Sequence, residues 1–183
     1  LSVGSKRITG IPQLVEHLTT LRGGQSLVLK VNRDGNPLEL KTAAKELERE
    51  TSTEFVIEYG SVATPVGKLR TVLSLPKSVT KHHAVLLLGG LGNAFAEHPV
   101  ADPTGAKNIA YQLTKRGFAV LRVDKPGCGD SEGGPARDVD FQSVVDGYIA
   151  ALRQLKKDQR IDSNHVYLFG ASMGGVQAPL VAA

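Results

Sequence analysis

Tryptophan is absent, cysteine and methionine occur once each, and aromatic residues make up only 5% of the 183 positions. The lone thiol, Cys128, excludes an internal disulfide framework, and no Cys/His set has the spacing of a zinc site. No apolar run approaches the roughly 18 residues that a membrane-crossing helix needs, and the N-terminus carries no charged-then-apolar signal segment. The chain opens at Leu1 inside what reads as a strand, so a targeting segment is not expected to be visible here and the compartment, cytoplasmic or exported, stays open. The formal charge is +4, but the basic pairs Lys6-Arg7, Lys115-Arg116 and Lys156-Lys157 are spread along the chain beside acids. With so few aromatics to stack on bases, this argues against nucleic acid as a partner. What is there, 41% hydrophobic and 22% charged residues, is enough for one full core or for pieces of two.

The most informative stretch is His165-Val166-Tyr167-Leu168-Phe169-Gly170-Ala171-Ser172-Met173-Gly174-Gly175. An apolar run too short for a buried helix reads as a strand covered on both faces, and it ends in Gly-x-Ser-x-Gly before a helix-like segment from Gly174 to Ala183. A serine at the tip of a strand-to-helix turn sits in strained backbone. Gly170 and Gly174, two before and two after, let strand and helix approach. The Ser172 hydroxyl would then be exposed at the sheet edge, with the Met173 N-H aimed at the carbonyl oxygen it attacks. The competing reading is a plain strand-helix turn in which Ser172 only caps the helix.

Ahead of this stretch the chain divides in two. Residues 1–42 read as strand, helix and hairpin: a strand with a turn at Gly4-Ser5, a helix opened by Ile11-Pro12 with Leu14, Val15, Leu18 and Leu21 on one face, and strands on either side of Asp34-Gly35. His17 falls off that apolar stripe and reads as a solvated side chain. The segment 43–53, with the run Lys45-Glu46-Leu47-Glu48-Arg49-Glu50, is charged, poor in core residues and expected to be a linker.

From residue 54 onward an antiparallel pair, Phe55 to Tyr59 and Leu69 to Leu75, the second alternating polar and apolar as a half-exposed strand does, precedes two nearly continuous apolar runs, Ala84 to Leu88 and Ala119 to Val123. Helices with Ile109, Ala110 and Leu113, and then with Phe141 through Leu155, alternate with these runs. The pattern predicts a mostly parallel, doubly wound α/β sheet, whose ligands bind beyond the C-terminal ends of the parallel strands. The loops after Leu88, Val123 and Phe169 should therefore converge. The first, Gly89-Gly90-Leu91-Gly92-Asn93, offers backbone N-H groups as a second oxyanion donor. It fails as a dinucleotide fingerprint because Phe95 stands where glycine or alanine is required. The second, Asp124 to Gly133, lacks the Gly-Lys-Ser/Thr ending of a phosphate loop, and no cofactor or metal is expected.

Two resemblances follow from these residues. "Leu-Ser-Val-Gly-Ser-Lys-Arg-Ile" and "Gly-Gly-Gln-Ser-Leu-Val-Leu-Lys-Val-Asn-Arg-Asp-Gly" resemble the C-terminal half of a bacterial-type PDZ domain, which implies a partial α+β unit over 1–42 that takes a peptide C-terminus by strand addition. "Leu-Leu-Leu-Gly-Gly-Leu-Gly", "Arg-Val-Asp-Lys-Pro-Gly-Cys-Gly-Asp-Ser-Glu-Gly" and "Phe-Gly-Ala-Ser-Met-Gly-Gly", in that order, are similar to the α/β-hydrolase superfamily, nearest to bacterial esterases and acylaminoacyl-peptidase-like members. That likeness implies Ser172 as nucleophile and Met173 and Leu91 as backbone oxyanion donors. Where the family has a histidine before its oxyanion glycine this chain has Gly89, which leaves the first donor between Gly90 and Leu91.

The family also places its acid and its histidine after the serine, and this chain is therefore expected to be the N-terminal part, 54–183, of an incomplete hydrolase sheet, nearly inactive by itself. His82, His83 and His165 precede their strands and fall at the far edge of the sheet, while His98 follows a strand and is the one histidine placed to reach Ser172. Asp124 and Asp130 stand at the correct edge, either bracing the glycine-rich loop or serving as a triad acid. The function implied is hydrolysis of a small acyl substrate or peptide, an ester, thioester or amide, through an acyl-serine. The alternative is a non-catalytic scaffold that binds peptides through its PDZ-like part.

Overall fold

A computed structural model describes the chain apart from residues 19, 20, 22, 47, 79, 80, 93–95 and 97–104 and the side chain of residue 16. It divides into two compact units, Leu1–Arg49 and Glu50–Ala183.

Among its described residues unit 1 has a four-stranded sheet in the order β2-β1-β3-β4, with β1 Ser2–Val3, β2 Lys6–Arg7, β3 Ser26–Arg33 and β4 Asn36–Ala43, and one helix, α1, Ile11–Leu18. All its strand pairs are antiparallel. The hairpin between β3 and β4 turns at Asp34-Gly35, where φ is 52° and 82°. Two successive positive values match the twist of the flanking strands, and an Asx-Gly pair supplies them at low cost. The first strand of the sequence reading is thus two short ones around Gly4-Ser5. The described helix ends at Leu18, short of the expected stripe, and Val15 and Leu18 are exposed while Leu14 is half-buried. His17 is half-buried rather than fully solvated.

Unit 2 is a five-stranded sheet in the order β5-β6-β8-β7-β9, built from β5 Phe55–Thr64, β6 Gly67–Pro76, β7 His82–Leu88, β8 Ala119–Val123 and β9 Ile161–Gly170. β5, β6 and β8 pair antiparallel, and β8, β7 and β9 pair parallel. The parallel strands are joined through α2 Ala106–Lys115 and α3 Phe141–Lys157, and α4 Met173–Ala182 follows β9. Because side chains alternate across a strand, β7 feeds two cores. Ala84, Leu86 and Leu88 pack with Val145, Tyr148, Ala151 and Leu155 of α3 and Val181 of α4. Val85 and Leu87 pack with Val120 and with Ala110 of α2 on the other face. A sheet covered on both faces needs apolar residues at every position, hence the unbroken runs.

Three expectations are corrected. β6, read as half-exposed, is buried along most of its length, Arg70, Thr71 and Ser74 included, because it lies inside the sheet between β5 and β8. β9 starts at Ile161, not His165, since the polar stretch Asp162-Ser163-Asn164 lies within the strand, and it is not covered on both faces, since it is the edge strand of the sheet with Tyr167 and Phe169 exposed. His82, His83 and His165 are strand residues rather than residues ahead of strands.

Glu50, which the charged run places in a linker, is buried and belongs to unit 2. Its carboxylate accepts two hydrogen bonds from Arg122, from Nη1 at 2.8 Å and Nη2 at 2.7 Å, and a third from the Tyr111 hydroxyl at 2.8 Å. The Glu50 N-H donates to the Tyr59 hydroxyl at 2.6 Å. Arg122 is only 1% exposed near the end of β8, and a guanidinium there needs this fork-shaped partner.

Candidate active site

The turn between β9 and α4 carries the strongest local signal of the molecule. Ser172 has φ 52° and ψ −119°, and it is one of two described non-glycine residues with positive φ, the other being Asp34. A side chain held there costs on the order of 1–3 kcal/mol and persists only where the surroundings over-determine it. The surroundings do so. A Cβ on Gly170 would run into the carbonyl of Gly174, and a Cβ on Gly174 would run into the carbonyl oxygen of Leu88, so β7, β9 and α4 meet backbone to backbone. Ala171 N-H donates to Leu88 O at 3.1 Å, which ties the turn to the end of β7. Ser172 is exposed and its side chain makes no capping bond to the helix, contrary to the reading in which it only caps α4. Met173 begins α4, so its N-H is among the helix's unpaired leading donors.

The loop after β7 comes to the same place. A Cβ on Gly90 would lie 3.3 Å from the Ser172 Cβ and 3.9 Å from its Oγ, so a bare backbone faces the serine. The Gly89 N-H donates to the Tyr148 hydroxyl at 3.0 Å, and burial pushes that phenol up to about 12, which keeps it neutral. Lys125 Nζ donates to the carbonyls of Gly90 and Gly92, the latter at 3.1 Å. Burial lowers its pKa. Leu91 is 83% exposed. Asn93 lies outside the described residues.

Asp124 braces the loops. Its carboxylate receives Arg70 Nε at 2.6 Å and the Ala96 N-H, and Arg122 Nη1 donates to Ala96 O at 3.0 Å. The glycine-rich loop is pinned to β6 as well, since Arg70 N-H donates to Ser131 Oγ and Lys68 N-H to Glu132 Oε2, each at 2.8 Å. Asp130 is exposed, 3.6 Å from Arg70 Nη1. Cys128 is buried in this loop, and burial raises its thiol pKa. Of the unit 2 histidines, His82, His83 and His165 stand at the other end of the strands, and His98 lies outside the described residues.

Known proteins share this architecture. An esterase from Pyrobaculum calidifontis superposes with a TM-score of 0.56 at 19% identity, over 69% of this chain and 39% of its own. Unit 2 has the α/β-hydrolase fold. A family model described as serine aminopeptidase, S33, matches residues 103–183 of this α/β-hydrolase unit. Esterase EstD of Thermotoga maritima is 26% identical over 168 residues, 88% of this chain and 39% of EstD. That share exceeds what unit 2 alone holds, so the likeness takes in part of unit 1. Quorum-quenching protein AidA of Acinetobacter baumannii is 34% identical over 67 residues, 37% of this chain and 22% of AidA. The chain spans about two fifths of the length of EstD and of the Pyrobaculum esterase. These likenesses relate the chain in general terms to the serine hydrolases of the α/β-hydrolase superfamily.

Sequence reasoning missed Glu50, Tyr148 and Lys125. Tyr148 falls inside the helix expected over Phe141 through Leu155, and its hydroxyl has no signature in the sequence. A lysine after the strand-ending aspartate was visible, but not its reach across to the neighbouring loop.

Proposed function

We propose that the protein is a serine hydrolase of small acyl substrates, an ester, thioester or amide, with Ser172 as the nucleophile at a nucleophile elbow. The observation that carries this reading is the left-handed backbone of an exposed serine at a point where no Cβ fits on either flanking glycine. Ser172 Oγ attacks the substrate carbonyl and gives its proton to a general base. The carbonyl oxygen becomes an oxyanion, which then re-forms the double bond as the leaving group departs with a proton. Water attacks the acyl-serine in turn, releasing the acid and restoring the hydroxyl. This route uses no cofactor.

The Met173 N-H is the first oxyanion donor. The other donor, between Gly90 and Leu91, is Leu91 in this reading, and Lys125 supports the choice. It holds the Gly90 carbonyl, and in a trans peptide the following N-H, that of Leu91, must point the opposite way. Among the described residues no histidine of unit 2 stands at this end of the sheet, and His98 lies outside them; hydrolysis of p-nitrophenyl esters that is lost in His98→Ala would make His98 the base. On the natural-length protein a fluorophosphonate probe should attach covalently to the wild type and not to Ser172→Ala. Labelling that survives Ser172→Ala overturns the assignment.

A further inference from the structure

At the opposite end of the sheet, three side chains with ligand atoms come together. Ala84 pairs with Val166 across the parallel strands β7 and β9, so His83 and His165 are lateral neighbours on one face. Their rings stack with centroids 4.3 Å apart at 13°. Between His82↔Ile161 and Ala84↔Val166 the register breaks, and β9 uses more residues than β7. The extra residues, Asp162-Ser163-Asn164, bulge out and bring Asp162 back over the pair. Its Oδ2 lies 2.8 Å from His165 Nδ1, and the Asn164 N-H donates to Oδ1 at 3.0 Å.

We propose that His83, His165 and Asp162 bind a divalent transition-metal ion such as zinc or copper. One ligand atom from each residue lies within 4.8 Å of the others. Around a tetrahedral zinc with bonds of about 2.0–2.1 Å the ligand atoms stand about 3.4 Å apart, so closing the site takes side-chain rotations of about 1–2 Å. Those rotations are open to it: the His165 side chain is 48% exposed, that of Asp162 32%, and His83 is exposed too. Two imidazoles with one carboxylate suit zinc, copper or nickel rather than magnesium or calcium, and water completes the shell. All three ligands sit on the paired strands β7 and β9, Asp162 in the bulge, where a backbone N-H orients the carboxylate oxygen not used for the metal, the kind of outer support that ligating carboxylates have. Phe118 and Tyr167, each with its ring 6.3 Å from that of His83, wall the site on the sheet side. Nothing in the acyl-transfer reading uses these residues, so the two proposals fail or stand separately.

The test is calorimetric titration of zinc chloride into untagged protein, joined to electron paramagnetic resonance of the copper-loaded form. One equivalent of zinc per chain is expected, with affinity reduced about tenfold or more in His83→Ala and in His165→Ala and by less in Asp162→Asn. Copper should show nitrogen splitting from two imidazoles in the wild type and from one in either histidine variant, and His17→Gln should leave both readouts unchanged. Melting without metal shows that each variant is folded, and His83→Gln and His165→Gln replace any alanine variant that is not. Absence of zinc binding by the wild type, or affinity that is unchanged in a folded His83 or His165 variant, overturns the proposal.

Discussion

Units 1 and 2 are both sheet-and-helix units, yet they are held together differently. Among the described residues of unit 1 only Val3 and Leu27 are buried apolar side chains, and the apolar residues Ile11, Val15, Leu18 and Leu40 are exposed. Unit 2 has apolar clusters on both faces of its sheet and, inside β8, a buried ion pair with Glu50. Apolar burial contributes about 25 cal/mol per Å², so unit 1 gains most of its order from backbone pairing and turn chemistry, and unit 2 from side-chain packing. A sheet with few buried apolar side chains can be specified by its turns, whereas a sheet packed on both faces must be specified by its interior.

The largest expected effect tests the edge of that interior. Glu50→Ala leaves the Arg122 guanidinium buried without its carboxylate and should cost about 3–5 kcal/mol in denaturant unfolding of unit 2. The double change Glu50→Met with Arg122→Met should recover most of it, because an apolar pair leaves no buried charge behind. A cost below about 1 kcal/mol for Glu50→Ala would mean that unit 2 does not depend on the residue that opens it.

Next comes a matched pair of core truncations. Leu86→Ala, at the centre of β7, should cost about 2–5 kcal/mol, while Leu27→Ala in unit 1, with far fewer apolar neighbours, should cost about 2 kcal/mol or less. Equal losses, read by circular dichroism melts, would erase the contrast between the units.

The smallest effect concerns an exposed cap in the well-packed unit. Asp140 Oδ1 accepts the Ser143 N-H at 2.6 Å at the start of α3, and this bond holds the carboxyl below its ordinary value. A depressed folded-state pKa contributes stability that is present above the unfolded value of about 3.9 and is lost as the pH falls through the folded one. Asp140→Ala should therefore lower the melting temperature at pH 7 by less than either core change, and its difference from wild type should close below about pH 4. A difference that persists at pH 2 would point to packing rather than to the charged cap.

How much of this could be read from the chain itself depended on whether the signal was local. The runs Ala84 to Leu88 and Ala119 to Val123 announce buried parallel strands because every position faces a core, and Asp34-Gly35 announces its hairpin because the turn demands those residue types. The Gly170 and Gly174 spacing around Ser172 was legible as a pattern, but only Gly170 answers to a close backbone approach within a few residues, while Gly174 answers to the carbonyl of Leu88 at the distant end of β7. Arg122 was legible as a charge in an apolar run, but its partner lies 72 positions earlier inside what looks like a solvated charge run. The start of β9 was hidden because Asp162-Ser163-Asn164 has the composition of a turn and is in fact a bulge inside a strand. His83 and His165 were placed at the correct end of the sheet by counting, yet their stacking depends on a cross-strand register that no single segment reveals.

The strand order β5-β6-β8-β7-β9 also governs how the chain comes off the ribosome. β6 takes β8 as its inner neighbour, although β7 is made first, so the inner edge of β6 waits for some forty residues between Pro76 and Ala119. At synthesis rates of about 5–20 residues per second, that wait lasts about 2–9 s. During it, a nearly complete antiparallel hairpin offers an open row of peptide groups, and β7 is available as the wrong partner. The late arrival of β8, which carries Arg122, closes the gap between the hairpin and the parallel strands, and Glu50 is already waiting upstream to receive that charge.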